Sequence, residues 1–393
     1  MIRDTIYLDH AATTPVDAEV VAAMLPFFGE RFGNPSAVSH LGQEARAAVD
    51  RSRATIAAVL GCRPAEVILT GGATESDGLA LAGAAWAARF ARLDGPWPHL
   101  VTAAIEHSAV LESARLLERQ GFSVTVVPCE ADGRVAPGAV AAAFRPETCL
   151  VSTMLANNET GAIQPVREIA ALCRERGIAV HTDAVQAAGL LPLKVDDLGV
   201  DLLTLSAHKF YGPKGVGLLF VRAGTAMAWT QRGGGQEGGR RGGTENTAGI
   251  VGMAVALAKA EARRPEYVAH CVAIRDALVA GIAGAVPGVE LNGPPPGPDR
   301  LPNNANLAFP GIQGETLLLA LDMEGIAASA GSACTAGKAE PSHVLEAMGL
   351  SDERSRSSVR FTVGWDTTAE DVDETVSVVA GAAARVLSLS GRA

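Results

Sequence analysis

Several stretches of this sequence end an apolar run on residues that a core would not choose. "LSAHKFYGPKGVG" sets Ser206, His208 and Lys209 directly after a strand and before a Gly-Pro turn. A lysine there ordinarily turns to solvent. Held instead in a buried mouth beside an electron-poor partner, its amine loses a proton more readily and can attack a carbonyl. "AVHTDAVQAAG" ends another strand on Asp183, followed by Gln186. Such an acid is either the N-cap of the next helix or an anchor for a protonated ring nitrogen. "ILTGGATES" leads from a strand through two glycines into a helix. The amides around Ala73 and Thr74 would then point into a cleft at the positive end of the helix dipole, a seat for phosphate, although alone the junction is an ordinary tight turn.

Lysine, aspartate and phosphate seat together describe pyridoxal phosphate, whose carbonyl carbon, ring nitrogen and 5′-phosphate call for those three groups. "AIEHSAV" adds His107 at a strand end, where an imidazole could lie on the pyridine face, and "ANNETG" adds Asn158, an amide within reach of the ring hydroxyl. Taken singly, His107 reads as a structural histidine; in this company the cofactor role is preferred.

Cys334 is the remaining unusual group. It lies in "SAGSACTAGKAEPSHV", among residues too small to form a core around it, with no CxxC spacing or histidine pair to make it a metal ligand. The stretch from Gly331 to Ala339 reads as a solvated loop closed by Pro341 and a helix capped by Ser342. The other five of the six cysteines (Cys62, Cys129, Cys149, Cys173 and Cys271) stand in apolar or helical surroundings and are expected to be small buried thiols.

The elements that must position these groups follow from hydrophobic patterning. From Glu66 to Phe220, apolar runs ("EVILT", "HLVTAA", "FSVTVV", "CLVSTML", "IAVHTD", "DLLTLS", "GVGLLFV") alternate with helical patterns, with helices expected from Glu75 and from Ser108. That alternation predicts an α/β fold with a mainly parallel sheet covered on both faces, its ligand beyond the strand ends. After about Gly249 a long Ala-rich helix, "AGIVGMAVALAKAEARR", leads into "EYVAHCVAIRDALVAGIAGAV", then a Pro-rich segment and a second set of short strands and helices. The 393 residues are expected to form a large domain over 16–258 and a smaller α+β domain from 1–15 and 259–393 that carries the cysteine loop. Net charge is −10 with the basic residues scattered, which argues against nucleic acid as a direct ligand. The N-terminus meets Asp4 and Asp9 before any apolar run, and "GLALAGAAWAA" is far short of a membrane span. A soluble, cytoplasmic protein without a membrane partner is expected.

"YLDHAATTP", "FGNPS", "GGATESD", "IEHSAV", "NNETG", "TDAVQAAG", "SAHKFYGPKG", "GGGQEGGRRGGTEN", "GSACTAG" and "SSVRF" stand in this order along essentially the whole chain. In them the sequence resembles the cysteine desulfurases of the NifS and IscS kind, within the class V aminotransferase-like, fold-type I enzymes that use pyridoxal 5′-phosphate. The resemblance implies Lys209 as the Schiff-base lysine, Asp183 as partner of the ring nitrogen and His107 as the stacking, acid–base imidazole. It implies Asn158 and Gln186 at the ring hydroxyl, and Thr74, Ser206 and His208 at the phosphate, joined by Thr244 from across a homodimer interface. Asn34 and Arg360 are similar to the pair that holds the substrate carboxylate.

Conversion of L-cysteine to L-alanine is the activity implied. Cys334, its thiolate aided by a protonated His107, takes the sulfur as a persulfide and carries it to an acceptor protein such as an iron–sulfur scaffold or a sulfur carrier. The ending at "VLSLSGRA" favours a NifS-like or dedicated enzyme over the tailed IscS type. Rival readings are another fold-type I activity, an aminotransferase or selenocysteine lyase, and a non-catalytic sulfur carrier or scaffold subunit. The last is disfavoured by the presence of both Lys209 and Cys334.

Overall fold

The computed structural model describes residues 5–330 and 341–389. A two-residue strand, β1 (Ile6–Tyr7), precedes the seven strands of one sheet: β2 (Val67–Thr70), β3 (His99–Ala103), β4 (Ser123–Val127), β5 (Thr148–Ser152), β6 (Ala179–Asp183), β7 (Leu202–Ser206) and β8 (Gly217–Val221). Their spatial order is β2-β8-β7-β6-β5-β3-β4. The pairs from β7 across to β4 are parallel, and β8 runs antiparallel to β2 and β7. The mainly parallel sheet expected from the sequence is present, with one reversed strand. The turn between Ser206 and Gly217 is too short for the crossover that a parallel return requires.

Every residue of β3, β7 and β8 is buried, because helices cover both faces. One face packs Ile68, Leu100, Leu150 and Leu202 against the helices Ala73–Ala91 and Ser108–Arg119. The other packs Leu69, Val101, Val151, Val180 and Leu203 against His40–Leu60, Val166–Arg174 and Thr247–Ala262. Strand alternation therefore sets His181 and Asp183 of β6 on the face toward Ala73–Ala91.

A second set of strands, β9 (Glu290–Asn292), β10 (Asn304–Ala308), β11 (Ile326–Ala327) and β12 (Ser358–Thr362), forms an antiparallel sheet in the order β12-β10-β9, while β11 pairs in parallel with β1. Its own cluster joins Leu307, Val359 and Phe361 to Cys271, Leu278 and Ile282 of the helix Arg264–Ala285 and to Val379 and Ala382 of Ala369–Leu389. The long Ala-rich helix expected as the connector is Thr247–Ala262; it ends at Arg263, and a second helix, Arg264–Ala285, follows with a proline in its first turn. The first helix serves the large sheet's core, the second the smaller core.

By length and composition, Arg264–Ala285 alone among the described residues could cross a membrane. Its inward face carries the buried Arg275, which bonds Asp276 and the Leu301 carbonyl, as a core helix would.

Candidate active site

The C-terminal ends of the parallel strands open into a cavity of about 1350 Å3, as the topology requires. At one side β2 passes through Gly71 and Gly72 into the helix Ala73–Ala91. Gly72 adopts φ 152°, and a Cβ on Gly217 of β8 would stand 2.8 Å from the Gly72 backbone. Only glycines allow this approach. Thr70 Oγ1 lies 2.7 Å from Ser76 Oγ, which donates to the Gly72 carbonyl at 3.2 Å and holds the turn. Ala73 and Thr74 line the cavity, and their first-turn amides have no intrahelical acceptor. The helix begins two residues before the expected Glu75, whose carboxylate accepts from the Gly71 amide at 2.7 Å and pairs with Arg241 at 2.7 Å.

β7 delivers Ser206, His208 and Lys209 through the short 3-10 turn Ala207–Lys209, and all three line the cavity. Lys209 Nζ donates to the carbonyls of Ala11 and Ala12 at 2.5 and 2.7 Å. Burial, with Arg360 as a second cation nearby, lowers its pKa to about 8, so a usable fraction of the amine is neutral near physiological pH. The residues after β1 clasp this turn. Thr14 Oγ1 donates to the His208 carbonyl at 3.0 Å and accepts from the Tyr211 amide at 2.7 Å, steadying Tyr211 at φ 64°. His208 Nδ1 is 3.1 Å from Thr13 Oγ1, and burial beside Lys209 and Lys214 lowers the His208 pKa to about 4. Toward a phosphate it is therefore a neutral imidazole.

Asp183 ends β6, and its Oδ1 accepts from the Val185 amide at 2.9 Å. Burial raises its pKa, while His107 and Lys209 pull it back. A turn and not a helix follows Asp183, so it caps no helix, and its side chain lines the cavity. Gln186 Nε2 donates to the Ala11 carbonyl at 3.0 Å.

His107 is the N-cap of Ser108–Arg119, its Nδ1 accepting from the Ala109 amide at 3.1 Å. That bond assigns the proton of a neutral ring to Nε2, and burial lowers the ring's pKa. Desolvation works against the protonated His107 expected to aid a thiolate, while Asp183 favours that form.

Asn158 and Arg360 meet across the cavity. Arg360, on β12, donates from Nη1 to the Asn158 carbonyl at 2.9 Å and pairs through Nη2 with Asp9 at 2.6 Å, while its buried Nε has no partner among the described residues. Asn157 shapes the Asn158 turn. Its Oδ1 accepts from the Glu159 and Thr160 amides at 2.9 Å, and its Nδ2 donates to the Ile105 carbonyl at 3.0 Å.

Asn34 and Thr244 do not join these groups within one chain. Both are exposed and neither lines the cavity; Asn34 Oδ1 instead accepts from the Ser36 amide at 2.9 Å. Cys334 lies outside the described residues. Of the other five cysteines, burial raises Cys62 to about 11 and Cys149, Cys173 and Cys271 each to about 12, and raises Cys129 as well. They are thiols without nucleophilic character near neutral pH.

Sequence reasoning gave no individual role to Asp9, Ala11, Ala12, Asn157 or Glu237. Glu237 anchors the Gly-rich stretch before Thr244. It takes two bonds of 2.7 Å from Arg53 and a third of 3.0 Å from the Leu69 amide, so that stretch is docked on β2 rather than serving as a linker. Glu237→Ala leaves the Arg53 guanidinium unpaired in a largely buried site. The variant should lose about 3 kcal/mol or more in urea unfolding; a loss below about 1 kcal/mol would assign the anchoring elsewhere.

The donor set fits pyridoxal phosphate. Free amides at a helix start, glycines that admit a group close to the backbone, a poised amine opposite a buried carboxyl and an orphaned guanidinium Nε together match its phosphate, carbonyl and ring and the carboxylate of an amino acid.

A family model described as Aminotransferase class-V matches residues 6–375. Cysteine desulfurase IscS of Dictyoglomus turgidum is 44% identical over 378 residues, covering 96% of this chain and 94% of the relative. Cysteine desulfurase IscS of Methanosarcina thermophila is 45% identical over 374 residues, 95% of this chain and 91% of the relative. Among solved structures, a NifS-like protein superposes with a TM-score of 0.88 at 35% identity, covering 96% of this chain and 98% of its own. SspA in complex with cysteine superposes with a TM-score of 0.79 at 36% identity over 92% and 99%. Relatives of both names occur, so the preference for a NifS-like over an IscS-type enzyme gains nothing from them. A likeness that runs nearly end to end in sequence and in structure means that this chain belongs to the class-V aminotransferase family.

Proposed function

We propose that this protein is a cysteine desulfurase that uses pyridoxal 5′-phosphate to convert L-cysteine to L-alanine. The observation that carries the reading is Lys209, an amine with its pKa lowered to about 8, in one cavity with Asp183, His107 and Arg360. Bound there, the cofactor supplies a carbonyl for amines and a ring that accepts electrons.

The chain's own residues then divide the work. The amides of Ala73 and Thr74, with Thr74, Ser206 and His208, hold the phosphate, and Thr244 of a second copy completes that seat. Asp183 would hold the ring nitrogen, Asn158 and Gln186 the ring hydroxyl, and His107 the ring face. Arg360 binds the substrate carboxylate, a task the resemblance also gives Asn34, which does not line the cavity within one chain, and Lys209 Nζ moves the α-proton. Cys334 as a thiolate attacks the substrate Sγ. The S–S bond forms as the Cβ–Sγ bond breaks, the carbon fragment keeps the electron pair, and protonation yields alanine, so that one thiol and one cysteine become one persulfide and one alanine.

The relatives named cysteine desulfurase support this reading. We extend it to a homodimer in the cytoplasm, with no direct nucleic-acid or membrane partner, whose persulfide passes to an iron–sulfur scaffold or a sulfur carrier protein. Within each copy, 16–258 would bind the cofactor and 1–15 with 259–393 would form the smaller domain, a division that the clusters of the two sheets support in the main, with Val344, Leu345 and Met348 joining the larger and Ala156 and Leu190 the smaller.

The test is incubation of the purified, cofactor-loaded protein with L-cysteine and no reductant. Alanine and a gain of one sulfur on the Cys334 peptide by mass spectrometry are expected. Intact cofactor with neither product would sink the proposal.

The Lys209 amine also sets a pH dependence. Only its neutral form attacks a carbonyl, so capture of added pyridoxal phosphate by cofactor-free protein should quicken about tenfold per pH unit below pH 8. The rate should level off above that pH. Stopped-flow absorbance reads it, and a flat profile would remove Lys209 from the role.

A further inference from the structure

Behind Asp183, away from the cavity, lies a polar layer that the reaction as described leaves unused. Asp77 of the helix Ala73–Ala91 and His181 of β6 face each other with both side chains 0% exposed. His181 Nδ1 is 2.8 Å from Ser152 Oγ of β5, and its Nε2 is 3.0 Å from Thr204 Oγ1 of β7. One ring thus ties three strands just below the ends that carry Asp183 and Ser206. Asp77 Oδ1 stands 3.5 Å from His181 Nε2, and neither Asp77 oxygen makes a hydrogen bond of normal geometry among the described residues, the Thr204 hydroxyl being the one donor that acts on it.

An ionised carboxylate with no donor beyond that hydroxyl is strongly disfavoured in such a place. Burial raises the Asp77 pKa well above the ordinary carboxylate range, and Asp183 and Glu106 add to it. Burial also lowers His181 to about 3, so the ring does not take up the Asp77 proton. Burial likewise holds Glu106 toward its protonated form, its pKa raised well above the ordinary range, and among the described residues the other elements packed on this helix bring no competing charge. β2, β7 and β8 hold no titratable residue, β5 has only Cys149 at its far end, and the charged residues of Ser108–Arg119 are exposed. Lys209 and His107 act on Asp183 from the mouth.

We propose that Asp77 is a neutral carboxylic acid and a positioning residue, whose lack of charge leaves Asp183 as the one anion facing the cofactor's ring nitrogen and so keeps the proton on that nitrogen. The inference rests on the reading that the cavity holds pyridoxal phosphate. Loss of the Asp77 proton to solvent would place a negative charge behind Asp183 and draw the ring proton onto it. The N–H bond would break, an O–H bond would form on Asp183, and the ring would lose its positive charge and much of its power to accept electrons.

Two measurements test this. In cofactor-free protein at neutral pH, the infrared difference between the native chain and Asp77→Asn should contain a protonated-carboxyl band, with Asp77→Leu, which fills the same dry space, as the reference if Asn does not fold. In the loaded protein, the ring-nitrogen resonance of 15N-labelled pyridoxal phosphate should report a protonated ring at neutral pH in both the native chain and the variant. Its alkaline loss of the proton should lie about one pH unit or more higher in the variant. Identical titrations, or a variant that folds but has lost the ring proton at neutral pH, overturn the inference, whereas a merely structural Asp77 would change stability and leave the titration alone. Absence of the infrared band overturns the inference without touching the functional reading. A protein that shows the band yet takes up no pyridoxal phosphate overturns the cofactor assignment and, with it, the role given to Asp77.

Discussion

Lys209→Ala lowers alanine formation from L-cysteine by about a thousandfold or more, and leaves cofactor that dialysis removes. The amine has two tasks in the proposed reaction, covalent attachment and movement of the α-proton, and no other described amine stands where it could take them over. Lys214 lines the same cavity, yet it lies beyond the Gly212-Pro213 turn and does not share the grip of the Ala11 and Ala12 carbonyls. The fold should survive, because those carbonyls remain close enough to the cavity to be met by water. Amino-acid analysis of the product and the visible absorbance before and after dialysis check the two parts separately. Activity within tenfold of the native chain would exclude the assignment.

Cys334→Ser abolishes persulfide formation and lowers alanine release by about a hundredfold or more while the protein keeps its cofactor colour. The argument comes from the other cysteines. With pKa values of about 11 to 12 at Cys62, Cys149, Cys173 and Cys271, roughly one thiol in a thousand or fewer is ionised at pH 8, and burial raises Cys129 too. None can replace a nucleophile whose reactivity depends on the thiolate. Mass spectrometry of all cysteine peptides after reaction with L-cysteine is the check; sulfur accumulating at Cys129 or Cys62 in the variant would show a second nucleophile.

The chemistry-bearing strand ends were legible because each is a local signal. A continuous apolar run followed by Gly-Gly, by Asp or by His-Lys announces itself within about ten residues, and the parallel topology brings such ends to one rim whatever their spacing in the chain. Thr74, His107, Asn158, Asp183, Gln186, Ser206, His208 and Lys209 line one cavity for that reason, and Arg360 reaches it from β12 of the smaller sheet. The reversal of β8 and the lowered pKa of His107 were less legible, since the first depends on a short connection and the second on the water excluded around a ring.

By itself the sequence determined the order of strands and helices, the set of polar groups at the strand ends and, through its ordered motifs, the family. Only the tertiary structure decided what holds those groups. The carbonyl that grips Lys209 lies 198 positions away, and the acid paired with Arg360 lies 351 positions away. Asp77 and His181 meet only where a helix crosses the buried face of the sheet. Partners such as these are ordinary residues in ordinary local settings. Their effect comes from burial and close approach, and those arise only when distant segments pack together and exclude water.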